Sequence, residues 1–94
     1  MFGFFKRDEH VKPEGDRVLW VRVRLLKSGE IVELRLTKGG EISVDEGGGY
    51  YVRKHIIGPK SLERATLEIW FNRAYKPTRK VVEGGELIPI REWK

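Results

Sequence analysis

The chain alternates apolar and polar side chains over much of its length, which is the period of a half-buried β-strand rather than of a helix. The clearest run follows Arg17, where Leu19, Val21, Val23 and Leu25 alternate with Val18, Trp20, Arg22 and Arg24. Lys27-Ser28-Gly29-Glu30 then reads as a turn, since glycine enters the positive-φ region without steric cost. Val32, Leu34 and Leu36 alternate with Glu33, Arg35 and Thr37 in a second strand, and Lys38-Gly39-Gly40 turns the chain again. Ile42 and Val44 mark a short third strand, ended by Gly47-Gly48-Gly49. Residues 50–57 are rich in β-formers and predict a fourth strand. Gly58-Pro59-Lys60-Ser61 reads as a loop, with Ser61 placed to cap one helical turn through Leu62-Glu63-Arg64. Leu67, Ile69 and Phe71 alternate with Glu68, Trp70 and Asn72 in a fifth strand. Lys76-Pro77-Thr78 is a loop. Val81-Val82 and Leu87–Ile90 flank Gly84-Gly85 as a final hairpin, whose last strand Pro89 confines to a sheet edge.

Five to seven short strands at this spacing, without long helices, predict an all-β fold. The expected form is a small antiparallel barrel or sandwich, SH3-like or OB-like, since closure hides sheet edges. Residues 1–16 show no strand period and read as an N-terminal arm, leaving 17–94 as a single β domain. A chain of 94 residues is enough for one modest core. The predicted core is Leu19, Val21, Val23, Leu25, Val32, Leu34, Leu36, Ile42, Val44, Val52, Ile56, Leu67, Ile69 and Phe71.

Composition narrows the setting. Cysteine and glutamine are absent, Asn72 is the one asparagine and Met1 the one methionine, while Lys, Arg and Glu abound. That is the pattern of a thermophile's proteins. Without cysteine, disulfides and thiolate metal sites are excluded. No run reaches the roughly 18 apolar residues of a spanning helix. Met1–Phe5 is apolar but precedes Lys6-Arg7, the reverse of a secretory signal, so a cytoplasmic location is expected.

Charge is uneven. The net charge is +5. Residues 1–49 hold nine basic and nine acidic residues, so the whole excess lies in 50–94. Between Arg53 and Lys80 eight basic residues face only Glu63 and Glu68, which makes this stretch a candidate anion-binding surface. Strand phasing turns Trp20, Arg22, Arg24, Glu33, Arg35, Tyr51, Arg53, His55, Glu68 and Trp70 outward. Aromatic rings interleaved with arginine on a β-surface suit base stacking beside phosphate contact. The competing reading covers Trp20 and Trp70 with the arm, a loop or a second subunit. Tyr75-Lys76-Pro77-Thr78-Arg79-Lys80, with Arg73, forms a basic finger between strands.

Catalytic chemistry has little footing. His10 and His55 lack metal-ligand spacing, Ser28 and Ser61 lack a partnering motif, and no carboxylate pair is singled out. The sequence therefore predicts a non-enzymatic nucleic-acid-binding module with no cofactor and no metal. Arg22, Arg24, Arg53, Lys54, Arg73, Lys76, Arg79 and Lys80 would serve phosphate, and Trp20, Tyr51 and Trp70 would stack. The alternative is an accessory or structural subunit of a larger protein assembly, such as a virion or multi-subunit complex or a homo-oligomer, docking through Phe2, Phe4 and Phe5 of the arm and through the exposed aromatics.

Overall fold

The computed structural model describes residues 8–93. Within them, eight strands form two four-stranded antiparallel sheets. The first sheet contains β1 (Lys12–Glu14), β2 (Val18–Leu25), β3 (Ile31–Thr37) and β8 (Gly85–Leu87). Strand β2 is its centre: β3 lies along one side, while β1 and β8 share the other. The second sheet contains β4 (Ser43–Val44), β5 (Tyr50–Ile57), β6 (Arg64–Phe71) and β7 (Pro77–Glu83), in that order.

The period-two pattern decides which faces meet. Alternate residues of β2 (Leu19, Val21, Val23, Leu25) and β6 (Ala65, Leu67, Ile69, Phe71) are buried, and they join Leu34, Leu36, Ile42, Val52 and Ile56 in one core between the sheets. Fully burying an aliphatic side chain is worth roughly 1.5–3 kcal/mol, so this layer is the main source of stability. No described helix is long and apolar enough to cross a membrane.

Several expectations are corrected. Val44 is 77% exposed, because β4 is a two-residue strand at the edge of its sheet among the described residues. No helical turn forms at 61–64; Arg64 already opens β6. Pro77 to Lys80 are strand rather than loop, since Pro77 tolerates the open edge of β7. The Gly84-Gly85 turn is no hairpin: β7 stays on β6, whereas β8 pairs with β2, so the chain changes sheets there. Within the stretch expected to be an arm, Lys12–Glu14 pair with β2 and Val11 enters the core. Phe2, Phe4 and Phe5 lie outside the described residues.

One end of the sandwich is closed by two loops of the same spelling, Lys27-Ser28-Gly29-Glu30 and Lys60-Ser61-Leu62-Glu63. In each, the serine Oγ accepts a bond from the glutamate N–H at 3.1 Å. Each glutamate then reaches into the other loop. Glu30 accepts from the N–H groups of Lys60 and Ser61 and from Ser61 Oγ, at 3.1, 2.9 and 2.7 Å. Glu63 accepts from the N–H groups of Lys27 and Ser28, at 2.7 and 2.8 Å. The third position of both loops is left-handed: φ is 77° at Gly29 and 61° at Leu62.

These donors favour the charged carboxylates. The Glu30 carboxyl is held below 4.5 chiefly by the Ser61 hydroxyl and N–H, and the Glu63 carboxyl below 4.5 chiefly by the Lys27 N–H and Ser28. A pKa lowered by folding contributes stability above the unfolded value and loses it as pH falls through the folded one. Urea midpoints of the wild type should therefore decline from about pH 4.5 downward. The Glu30→Gln/Glu63→Gln variant is expected to start lower at neutral pH and to show a shallower acid decline. Equal slopes would refute this account of the clasp.

Candidate nucleic-acid interface

The two sheets divide the predicted site residues between opposite faces of the sandwich. On the outer face of the first sheet, most charges are already matched. Arg22 Nε donates to Glu33 Oε2 at 2.9 Å, and its guanidinium lies 4.8 Å from the Trp93 ring centre. Arg24 pairs with Glu86 at 3.0 Å. Trp20 donates its indole N–H to Glu14 at 2.8 Å and stands in register between Lys12 and Arg35. This face is a lattice of cross-strand pairs, and Trp93 lies against it at Arg22.

The outer face of the second sheet is different. Its ladder places Tyr51, Trp70 and Arg79 side by side on β5, β6 and β7. The Tyr51 and Trp70 ring centres are 5.1 Å apart with planes inclined at 46°, and the Arg79 guanidinium sits 5.0 Å over the Trp70 ring. In the next row Arg53 stands opposite Glu68, which accepts a bond from the Tyr51 hydroxyl. That bond, with some burial, pushes the Tyr51 phenol above its usual value of 10.0, so Tyr51 stays a neutral ring. Trp70 and Tyr51 are half-buried while Arg53 and Arg79 are exposed, so two cations flank the paired rings.

The turn from β6 to β7 extends this row. Asn72 Oδ1 accepts from the N–H groups of Ala74 and Lys76 at 2.8 and 3.0 Å. Tyr75 takes a left-handed φ of 62° and stacks on Tyr50 at 3.8 Å, with planes 9° apart. These contacts fix a short turn that presents Arg73 and Lys76, both exposed, at the end of the Trp70 strand. Arg73 rests against Gly48 of the neighbouring turn.

Two predicted phosphate ligands, both half-buried, project away from this outer face. Lys54 is in register with buried Leu67, so its side chain starts on the core side and lies in the field of Glu41. Lys80 is in register with buried Ile69 for the same reason. Its ammonium pairs with both oxygens of Asp8 at 2.9 Å and lies 2.9 Å from His10 Nδ1, and so ties residues 8–10 to β7. The sequence reading missed Glu68 and Trp93 as partners of the aromatic and basic side chains. It also missed the paired Lys-Ser-x-Glu loops, which were legible as a repeated tetrapeptide. Among the described residues no group of three or more His, Asp or Glu is placed to hold a metal.

Comparison with protein-family models, with characterised proteins and with solved structures finds no match.

Proposed function

We propose that this protein is a non-enzymatic nucleic-acid-binding module whose contact surface is the outer face of the second sheet. The observation that carries the reading is the Tyr51–Trp70–Arg79 row, two aromatic rings and a stacked guanidinium with Arg53 beside them. Bases stack on such rings whatever their identity, and the arginines with Arg73 and Lys76 supply phosphate contacts that position a strand without reading its sequence. The opposite face lends less support, because Arg22 and Arg24 are matched by Glu33 and Glu86. The chain passes between sheets at residues 38–42 and at Gly84, as strands do at the corners of a small barrel, which supports reading the fold as an opened SH3-like or OB-like type.

The test is a salt-titrated binding assay with single- and double-stranded DNA and RNA. Four phosphate contacts on a single strand give a log–log salt slope of roughly −3. Trp70→Ala should weaken binding roughly 5- to 150-fold, from the 1–3 kcal/mol that stacking contributes per base, while Trp20→Ala leaves it unchanged. Negligible affinity for every probe at low salt would end this reading.

A second reading, an accessory subunit of a protein assembly, is favoured by one observation. Leu26, Ile57 and Leu62 are 65%, 55% and 70% exposed on segments at the clasped end, and Leu62 holds a left-handed backbone where its counterpart loop uses glycine. An exposed apolar side chain retained at a strained position suits a contact with another protein.

A further inference from the structure

Strand β3 is the longest regular sheet edge among the described residues. Strands β1 and β8 have three residues each and β4 has two, while the β6–β7 pairing is interrupted between Trp70 and Phe71 and β7 begins with proline. Strand β3 runs seven residues in unbroken register, and among the described residues it pairs with β2 alone.

The ladder shows which backbone groups the edge presents. In antiparallel sheets hydrogen-bonded pairs alternate with non-bonded ones. Leu25 N donates to Glu30 O at one end of the β2–β3 ladder and Lys38 N to Arg17 O at the other, both at 2.8 Å. Counting inward by twos, Val32, Leu34 and Leu36 bond to β2. The N–H and C=O groups of Ile31, Glu33 and Arg35 therefore point outward along the open edge. At Thr37 the edge closes, because its N–H donates to Glu41 at 2.9 Å and its carbonyl accepts from Gly40 and Ile42.

We propose that two copies of this chain pair through β3, antiparallel about a twofold axis at Leu34. In that register Glu33 of each copy lies opposite Arg35 of the other, twice per dimer. These are the residues whose backbone groups point outward, so charge pairing and hydrogen bonding coincide. Val32 lies opposite Leu36 and Leu34 opposite itself on the core side, extending the apolar layer across the junction. Other registers are worse. A slide of two residues sets Glu33 against Glu33 or Arg35 against Arg35. A slide of one mismatches the bonding groups and opposes the two faces. Glu33 keeps Oε1 for the second copy while Oε2 holds Arg22. The pairing does not depend on nucleic-acid binding, since β3 belongs to the other sheet.

Sedimentation velocity over a concentration series tests it. The wild type should show a concentration-dependent dimer, with hydrogen exchange at the Glu33 and Arg35 amides slowing as it forms. Arg35→Glu and Glu33→Arg should each weaken dimerisation about tenfold or more, since both replace two opposite-charge pairs by like-charge pairs. An equimolar mixture of the two folded variants should dimerise again, as should the double variant Glu33→Arg/Arg35→Glu. A wild type that stays monomeric throughout would overturn the proposal. So would an Arg35→Glu dimer as tight as the wild type, or a mixture of the folded variants that stays monomeric.

Discussion

Leu67→Ala is expected to lower stability by about 2–5 kcal/mol, enough to remove much of the margin of a domain this small. Leu67 is fully buried at the middle of β6, with Lys54 and Val82 beside it in the ladder. It lies in the layer where the two sheets meet. Truncation removes its transfer free energy and leaves a cavity that two hydrogen-bonded sheets cannot close by moving together. At roughly 4–8 °C per kcal/mol, the melting temperature should fall by at least about 8 °C. Two comparisons isolate the cause. Leu67→Met conserves volume and should cost under about 1.5 kcal/mol. Leu26→Ala removes the same atoms from a residue 65% exposed and should stay within about 0.5 kcal/mol. Calorimetry showing similar losses for Leu67→Ala and Leu26→Ala would contradict the placement of the core.

What the sequence disclosed follows from which physical signals are local. Alternation in β2 and β6 was legible because each strand has one dry and one wet face, and the side chains Leu19 to Leu25 and Leu67 to Phe71 record it directly. The same period already placed Lys54 on the core side of its strand, and grouping it with the basic patch followed its charge and ignored its phase. Lys80 was read as part of a finger between strands, so its phase came only with the β6–β7 ladder. The sheet assignment was not legible. Gly84-Gly85 has the chemistry of a tight turn whether the next strand folds back on β7 or crosses to β2, and only long-range packing decides. For that reason Trp20 and Trp70, similar in their strands, end on opposite faces: one is pinned by Glu14, the other lies under Arg79. The tie of residues 8–10 to β7 was hidden too, since nothing near Asp8 points to Lys80, 72 positions away.

The candidate interface also rests on a backbone position that accepts no side chain, and Gly49→Ala is expected to damage fold and site together. Gly49 is buried immediately before β5 at a φ of 110°, and its carbonyl accepts from Asp45 N at 2.9 Å. A Cβ there would run into the carbonyl oxygen of Phe71, the backbone neighbour of Trp70. Neither atom is the end of a flexible side chain, so relief requires β5 and β6 to separate where Tyr50 meets Tyr75 and Tyr51 meets Trp70. Strain at the left-handed position and overpacking against backbone together cost about 2–5 kcal/mol. A graded series separates the two contributions. Gly47→Ala has ordinary φ and its nearest neighbour is Asp45 Oδ2 at 3.4 Å, so it should be close to neutral. Gly29→Ala meets nothing within 4 Å but sits at a φ of 77°, so it should cost about 1 kcal/mol from backbone strain alone. Gly49→Ala should exceed both in urea unfolding. Its folded fraction should also bind single-stranded probes less well than the Gly29→Ala protein, because only Gly49 adjoins the Tyr51–Trp70 row. Equal losses at Gly29 and Gly49 would mean that strain alone governs, and that the approach of Gly49 to Phe71 does not set the spacing of the aromatic row.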